Sequence, residues 1–203
     1  MTFLIQNCFH WIGFHFVNFL LQEGMVVKGV DKINSEKKEN LYMFVGRNSS
    51  FQLTDSPSNH KADIAIIIGN HDPALSFSVD KIIQIDINGL NKKLENAMII
   101  KAPLLFGEWM DMTEEGLIIG KKITRFDSEQ FQSESVYIED FVKATYPVLK
   151  TLPNSSNISV ISKKIFLNES VKLENSIYIR DNIPIEQNMK KIMAHYRRFK
   201  DFY

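Results

Sequence analysis

The chain has 203 residues, of which 44% are hydrophobic and 24% charged, an ordinary globular composition with enough residues to bury a sizeable core. Lys plus Arg and Asp plus Glu each total 24, so the formal net charge is zero and provides no general attraction to nucleic acid or to an anionic membrane. The single cysteine, Cys8, excludes an internal disulfide and fits a reducing compartment, so we expect a cytoplasmic protein with no membrane or nucleic-acid partner.

The opening of the chain has the pattern of a strand, a helix and a second strand. Residues 3–5 form a short apolar run typical of a buried strand, and residues 11–21 carry apolar side chains at helical spacing. Gly24 follows as a typical helix end, and residues 25–30 form the next strand, which stops at Asp31. Two parallel strands joined by a helix form a βαβ unit, so we predict one here.

The middle of the chain continues this alternation. A brief helical stripe lies within residues 34–48, and strands are predicted at 51–53 and 62–69. The unbroken apolar run at 62–69 is what a strand buried on both faces requires. Residues 79–97, in which isoleucine and leucine recur, are predicted to form a helix, and residues 98–103 a further strand.

The last part of the chain combines two helices with short strands. Residues 136–149 predict a short strand that leads into a helix, and residues 184–203 a terminal helix with Pro184 in its first turn. Three further apolar runs are short strand candidates: 158–161, 165–167 and 177–179.

Residues 3–15 read Phe-Leu-Ile-Gln-Asn-Cys-Phe-His-Trp-Ile-Gly-Phe-His. This segment resembles the first strand and the Thr-Gly-x-x-Gly-Phe-Ile-Gly-Ser-His motif of the extended short-chain dehydrogenases/reductases, the family of NAD-dependent nucleotide-sugar epimerases and dehydratases. Gly13 and His15 match the motif, and Asp31 falls where the family has its ribose-binding acid. Four later segments resemble the family in the same order: 62–67, 85–90, 102–109 and 136–142.

Pattern and resemblance together predict an α/β fold, a Rossmann-like doubly wound parallel sheet in shortened form. We assign residues 1–150 to an NAD(P)-binding-type domain and residues 151–203 to a small C-terminal appendage with a terminal helix. Because residues 96–97 run straight into the next strand, we expect a narrowed sheet in which strand 98–102 lies directly beside strand 62–68.

The resemblance implies a site for NAD or NADP at six positions: Asn7, His10, Trp11, Ile12, Gly13 and Asp31. Asn7 and His10 replace the first two glycines of the family's loop, so we expect cofactor binding to be weak or lost. Asparagine tolerates a positive φ, so the turn itself can persist. Two interpretations of His10 stay open, a plain connection or an anion site beside the helix N-terminus, and Asp31 is either a strand-end cap or a ribose acceptor.

The catalytic segment of the family has no counterpart here. Its Ser/Thr strand and its Tyr-x-x-x-Lys helix, which supply acid/base chemistry, would precede strand 98–103. Two Tyr-x-x-x-Lys matches occur elsewhere, Tyr146…Lys150 and Tyr196…Lys200, and we interpret both as structural. We predict no catalytic residue, and the histidine and cysteine spacing predicts no metal site.

We therefore predict an epimerase/dehydratase-like pseudoenzyme that binds a nucleotide, a nucleotide-sugar or a protein partner. Two alternatives stay open: an active NAD(P)-dependent nucleotide-sugar epimerase, dehydratase or reductase with a rebuilt site, and a structural subunit that associates with a full-length relative. The apolar residues of helix 79–97 exceed one sheet-facing stripe, so we expect a homodimer or a protein partner to cover it.

Overall fold

The structure is a computed structural model. It describes residues 1–54, 61–73, 75–76, 78–151, 157–164, 175–180 and 183–203. The strand predicted at 165–167 lies outside the described residues. No helix within these ranges is long and apolar enough to cross a membrane.

The chain forms two compact units. Unit 1 contains residues 1–101 and 148–158, and unit 2 contains residues 102–147 and 159–203. The predicted division into a domain over 1–150 and an appendage over 151–203 stays a prediction.

The described residues of unit 1 form six parallel strands and two α-helices. The strands are β1 (Thr2–Gln6), β2 (Val26–Val30), β3 (Phe51–Thr54), β4 (Lys61–Ile68), β5 (Ser78–Asp86) and β6 (Ala97–Lys101). The helices are α1 (Trp11–Gln22) and α2 (Glu36–Val45). Each neighbouring pair is parallel, in the order β3-β2-β1-β4-β5-β6, which is the strand order of the Rossmann fold.

The sheet is apolar at its centre because β1 and β4 are flanked by strands on both sides. Ile5 lies opposite Gly29 of β2 and Ile66 of β4, and the side chains of Ile5 and Ile66 have zero exposure. Gly24, at φ 74°, follows α1 as predicted. The predictions for β1, α1, β2, α2, β3, β4 and β6 are confirmed.

The helix predicted at 79–97 is wrong. Residues Ser78–Asp86 form strand β5, and residues 87–96 form turns. Gly89, at φ 88°, donates its N–H to the carboxylate of Asp86, which closes a turn where the resemblance suggested a helix. The reason is that β-branched isoleucines with fully buried neighbours pack well between two parallel strands, and periodicity does not separate such a run from a helix.

The expectation of a narrowed sheet is also wrong, because residues 78–86 add a strand to it. Strand β5 lies between β4 and β6, so β4 and β6 are not neighbours. The interface expected on helix 79–97 is not present, because this helix does not form and Ile83 and Ile85 are fully buried in the sheet. Self-association itself stays a prediction.

The described residues of unit 2 combine short strands with three α-helices. The strands are β7 (Leu104–Phe106), β8 (Gly116–Ile119), β9 (Lys122–Arg125), β10 (Ser135–Tyr137), β11 (Asn157–Ser162) and β12 (Ser176–Ile179). The helices are α3 (Glu129–Glu134), α4 (Ile138–Thr151) and α5 (Ile185–Arg198); β11 begins and α4 ends in residues of unit 1. Strands β7 and β10 pair in parallel, as do β11 and β12, and β8 and β9 form an antiparallel hairpin.

In this part of the chain the predictions are confirmed for β10, α4, β11, β12 and α5. The sequence reasoning missed β7, α3 and the β8–β9 hairpin. The hairpin has a two-residue loop in which Gly120 adopts φ 60°, and a glycine between two short apolar runs was a usable indication of it.

Candidate functional site

The candidate site lies at the carboxyl ends of the strands in unit 1. In an open parallel sheet, ligands bind where the strand order reverses, and here that point lies between β1 and β4. A cleft of 210 Å³ opens beside it. The cleft is lined by the last residues of β1 and β2, by residues that follow β1, β2 and β4, and by one residue of α2: Gln6, Asn7, Val30, Asp31, Lys32, Asn34, Lys38, Asp72 and Leu75.

The loop between β1 and α1 keeps a tight turn. Asn7 adopts φ 59°, and its N–H donates to the carbonyl of Val30 at 2.9 Å. A Cβ atom at Gly13 would collide with the carbonyl oxygen of Asn7, so α1 packs closely against the loop. Asparagine therefore takes over the left-handed position, and the remaining glycine permits the close approach of helix and strand.

The next two residues of the loop point into the core. Cys8 and Phe9 are buried, and the Phe9 ring contacts Tyr42 and Phe51 edge-on. Gly29 provides the space, since a Cβ there would lie 2.7 Å from the Cys8 sulfur. Burial and the nearby charge of Asp31 raise the pKa of the Cys8 thiol, so it stays protonated and is no nucleophile.

His10 caps helix α1. Its Nδ1 atom accepts a hydrogen bond from the Ile12 N–H at 3.3 Å, which requires this ring nitrogen to be unprotonated. The first backbone N–H groups of a helix are the donors that bind phosphate. A pyrophosphate at this helix would compete with the His10 imidazole for one of those donors.

Asp31 holds the loop to the end of β2. Its carboxylate is 4% exposed and accepts from the N–H groups of Phe9 at 2.9 Å and Lys32 at 2.8 Å. The Lys38 ammonium group lies 2.6 Å away and forms an ion pair with it. Because a carboxylate has about four acceptor positions, three are already in use and little capacity is left for ribose hydroxyls.

Side chains also span the point between β1 and β4. The Asn7 amide donates to the carbonyl of Ile68 at 2.7 Å, and the Gln6 amide donates to the carbonyl of Asn70 at 3.2 Å. The Gln6 oxygen lies 2.7 Å from Nδ1 of His71. These bonds join the two sides of the crevice in which a Rossmann protein holds its dinucleotide.

The structure thus brings two of the six predicted positions, Asn7 and Asp31, to the cleft. The others do not line it: His10 caps α1, Trp11 and Gly13 belong to its first turn, and Ile12 is fully buried. Sequence reasoning missed five polar residues of the lining: Gln6, Lys32, Asn34, Lys38 and Asp72. Of these, Gln6 ends β1 and Lys32 lies two residues after β2, and this placement was a usable indication.

The crossovers on the β4 side of the sheet differ from those on the β1 side. Strand β1 connects to β2 through α1, and β2 to β3 through α2. Strand β4 connects to β5 through 69–77, whose described residues form no helix, and β5 connects to β6 through the turns of 87–96. Parallel crossovers usually contain about a dozen or more residues and a helix.

Unit 2 contains a buried polar cluster that the sequence did not indicate. The Tyr137 hydroxyl donates to both carboxylate oxygens of Glu108, at 3.0 and 2.9 Å, and accepts from the Lys191 ammonium at 2.8 Å. The Lys191 ammonium also lies 3.1 Å from Glu108 and 3.4 Å from Glu139. Tyr137 and Glu108 are buried.

Burial, and then the charges of Glu108 and Glu139, raise the pKa of the Tyr137 hydroxyl well above its usual range. Burial acts to lower the pKa of Lys191, but the two carboxylates outweigh it and raise that pKa. A tyrosine held in its neutral form is a hydrogen-bond donor and not a base. The cluster therefore ties α5 to β10 and the start of α4.

The first Tyr-x-x-x-Lys match lies within α4, whereas the second begins on α5 and ends at Lys200, after that helix. Tyr146 is buried in α4 beside Pro147, which lies inside that helix. Tyr196 is 9% exposed on α5, and the Lys200 ammonium lies 5.9 Å from the centre of its ring. Neither tyrosine lines the cleft at β1 and β2.

No protein-family model and no curated protein sequence matches this chain. Solved structures do match it. The dTDP-glucose 4,6-dehydratase of Bacillus anthracis in complex with NAD aligns with a TM-score of 0.64 at 10% identity, over 100% of this chain and 98% of that one. The UDP-glucose 4-epimerase of Thermotoga maritima with UDP-glucose aligns with a TM-score of 0.60 at 14% identity, over 98% and 100%.

A yeast methylglyoxal/isovaleraldehyde reductase complexed with NADPH aligns with a TM-score of 0.60 at 12% identity, over 99% of this chain and 100% of that one. At such identities the likeness shows the fold. The chain has the Rossmann-type α/β fold that these enzymes share, and the predicted Rossmann-like α/β fold is confirmed.

Proposed function

We propose that this chain is a non-catalytic, epimerase/dehydratase-like protein of the cytoplasm. In this proposal the cleft beside β1 and β2 holds a nucleotide or nucleotide-sugar, or the fold serves as a protein-interaction module. Binding of NAD or NADP is weak or lost. The similar dehydratase, epimerase and reductase structures support the class of ligand, because their bound molecules are NAD, UDP-glucose and NADPH.

The observation that carries the proposal is the pair of crossovers without helices on the β4 side of the sheet. A Tyr-x-x-x-Lys pair needs a helix to place both side chains on one face. Among the described residues of 69–77 and 87–96 there is no such helix, and 87–96 contains no tyrosine. This supports the loss of acid/base chemistry in this part of the fold.

The proposed loss of cofactor affinity is supported by three contacts around the cleft. His10 occupies a donor of α1, Asp31 is engaged by Phe9 and Lys38, and the Asn7 amide spans the crevice to β4. The cleft volume of 210 Å³ is also below the range of about 300–1,000 Å³ that is usual for ligand pockets. A group smaller than a dinucleotide suits it better.

Isothermal titration calorimetry with NAD and with NADP tests this proposal. We expect dissociation constants above about 1 mM, which corresponds to about 4 kcal/mol of binding free energy. The double variant Asn7→Gly/His10→Gly removes the bridge to Ile68 and the imidazole cap, so it should bind NAD more tightly than the natural chain.

The matched control is Ser128→Gly, which removes the N-cap of α3 in unit 2 and leaves the cleft intact. It should not alter NAD binding. A micromolar dissociation constant for NAD or NADP in the unmodified protein would overturn the proposal and favour the active alternative, an NAD(P)-dependent epimerase, dehydratase or reductase with a rebuilt site.

A further inference from the structure

Helix α5 has apolar side chains on two adjoining faces. One face is buried and carries the apolar side chains of Ile192 and Tyr196, together with the polar side chain of Asn188, at intervals of four residues. The next face carries Met189 and Met193, which are half-buried, and Ala194, which is exposed. A helix that packs on a body through one face needs one apolar stripe, so the second stripe needs another partner.

The second stripe lines a groove within unit 2, which we name the α5 groove. Met189, Met193 and Ala194 form part of its lining together with Phe126, and its volume is 550 Å³. Methionine is common at surfaces that accept another chain, because its unbranched side chain adapts to the shape of a partner. The groove therefore has an apolar part, which includes Met189, Met193 and Phe126, and it is large enough for the side chains of a helix.

The groove has charges of opposite sign near the two ends of α5. Glu186 lies near the start of α5 and Arg197 near its end, and both line the groove. Eleven residues of helix separate them by about 16 Å. Within the part of the chain that the structure describes, neither side chain forms an ion pair, so both charges remain available to another molecule.

We propose that a second copy of this chain occupies the α5 groove, with the two α5 helices antiparallel about a two-fold axis midway between Lys191 and Ile192. This pairing places Glu186 opposite Arg197 of the second copy at both ends of the contact. Met189 then lies opposite Ala194 of the second copy, and Lys190 lies opposite Met193. A two-fold contact uses the same patch twice, and this patch has the complementary charges that such a contact requires.

The balance of charge argues for this occupant. Asp127, Glu186, Lys190 and Arg197 line the groove with two charges of each sign. Nucleic acid or an anionic membrane would require a surplus of positive charge. Lys191, which could have added to such a surplus, is paired with Glu108 and Glu139.

Sedimentation velocity of the full chain from about 1 to about 100 µM tests the proposal, since this range spans the affinities of moderate dimers. We expect a reversible dimer. Ala194→Arg places a long charged side chain in the middle of the contact and should give a monomer. Because Ala194 is exposed, the variant should keep the unmodified circular dichroism spectrum and melting temperature.

Charge reversal tests the pairing itself. Glu186→Arg and Arg197→Glu each place like charges at both ends and should weaken the dimer by about tenfold or more. The double variant restores opposite charges and should recover the dimer. Arg198→Glu, on the adjacent exposed residue that does not line the groove, should change nothing.

Three results would overturn the proposal: a monomer at about 100 µM, a dimer that Ala194→Arg leaves intact, or a double reversal that fails to recover association. NAD binding is not involved in any of these measurements, so they are independent of the proposed function.

Discussion

Single side chains hold the loop between β1 and α1 in a closed arrangement. The His10 imidazole accepts from the Ile12 N–H, and the Asp31 carboxylate accepts from the Phe9 N–H. Backbone donors of this kind bind phosphate in Rossmann proteins. Here they are satisfied by the chain itself, which stabilises the loop and leaves fewer donors for an anion.

The shifted pKa values of Tyr137, Lys191 and Tyr203 predict how the free energy of unfolding depends on pH. The folded protein raises the pKa values of Tyr137 and Lys191, and it raises the pKa of Tyr203 to about 12. A raised pKa means that the group contributes stability below its unfolded pKa and loses the contribution as pH rises further. Tyrosine and lysine in unfolded chains titrate near pH 10, so the free energy of unfolding should fall above about pH 10.

Tyr137→Phe should change this dependence. Near neutral pH, Glu108 loses a donor and the free energy of unfolding should decrease by about 1–3 kcal/mol. Above about pH 10, the difference in the free energy of unfolding between the variant and the unmodified protein should narrow. The reason is that the Tyr137 hydroxyl ionises at a lower pH in the unfolded chain than in the folded one, and the variant lacks this hydroxyl.

Urea unfolding at about pH 7 and about pH 11 measures both effects. The control is Tyr42→Phe, which keeps the ring that contacts Phe9 and removes a tyrosine hydroxyl outside the cluster. A difference between Tyr137→Phe and the unmodified protein that stays constant or grows with pH would contradict the assignment.

The tertiary contacts of β5 explain why this segment is a strand. It pairs in parallel with β4 and β6 and buries Ile83, Gln84 and Ile85 completely. The Gln84 amide donates to the carbonyl of Gly69 at 3.1 Å, and its oxygen accepts from the Leu94 N–H at 3.2 Å. The side chain of one strand residue thus holds both adjacent connections, which take the place of helical crossovers.

Because residues 78–86 form a strand, substitutions at its buried and exposed positions should differ strongly in their effect on the free energy of unfolding. Ile85→Ala should lower the free energy of unfolding by about 2–5 kcal/mol, because it opens a cavity between parallel strands. Lys81→Ala, on the same strand but exposed, should change it by about 0.5 kcal/mol or less. Denaturation in urea measures both, and similar small effects at the two positions would argue against a buried β5.

For the whole molecule, the proposed loss of turnover makes a direct prediction. Incubation with UDP-glucose or dTDP-glucose and NAD should yield no epimerised or dehydrated sugar on chromatography. The reason is that the described crossovers beside β5 provide no helix for a tyrosine and lysine pair. Product that disappears in Tyr146→Phe and persists in Tyr196→Phe would identify α4 as a catalytic helix and contradict the proposal.

The local pattern of the sequence was enough for much of the fold. An unbroken apolar run predicted β4, helical spacing with a terminal glycine predicted α1, and an asparagine in the left-handed region kept the turn at Asn7. These features depend on interactions within a few residues, which a sequence displays directly. The resemblance around Gly13 extended them to a Rossmann sheet.

The tertiary structure alone decided β5, the engagement of Asp31 and the Tyr137 cluster. Residues 78–86 fit a buried strand or a helix equally well by pattern, and the pairing with β4 and β6 selects the strand. Asp31 stands at the expected position, but the sequence does not tell that Phe9 and Lys38 already occupy its carboxylate. Contacts between residues distant along the chain depend on the packing of whole elements, because the position of one partner is set only when the other element is in place.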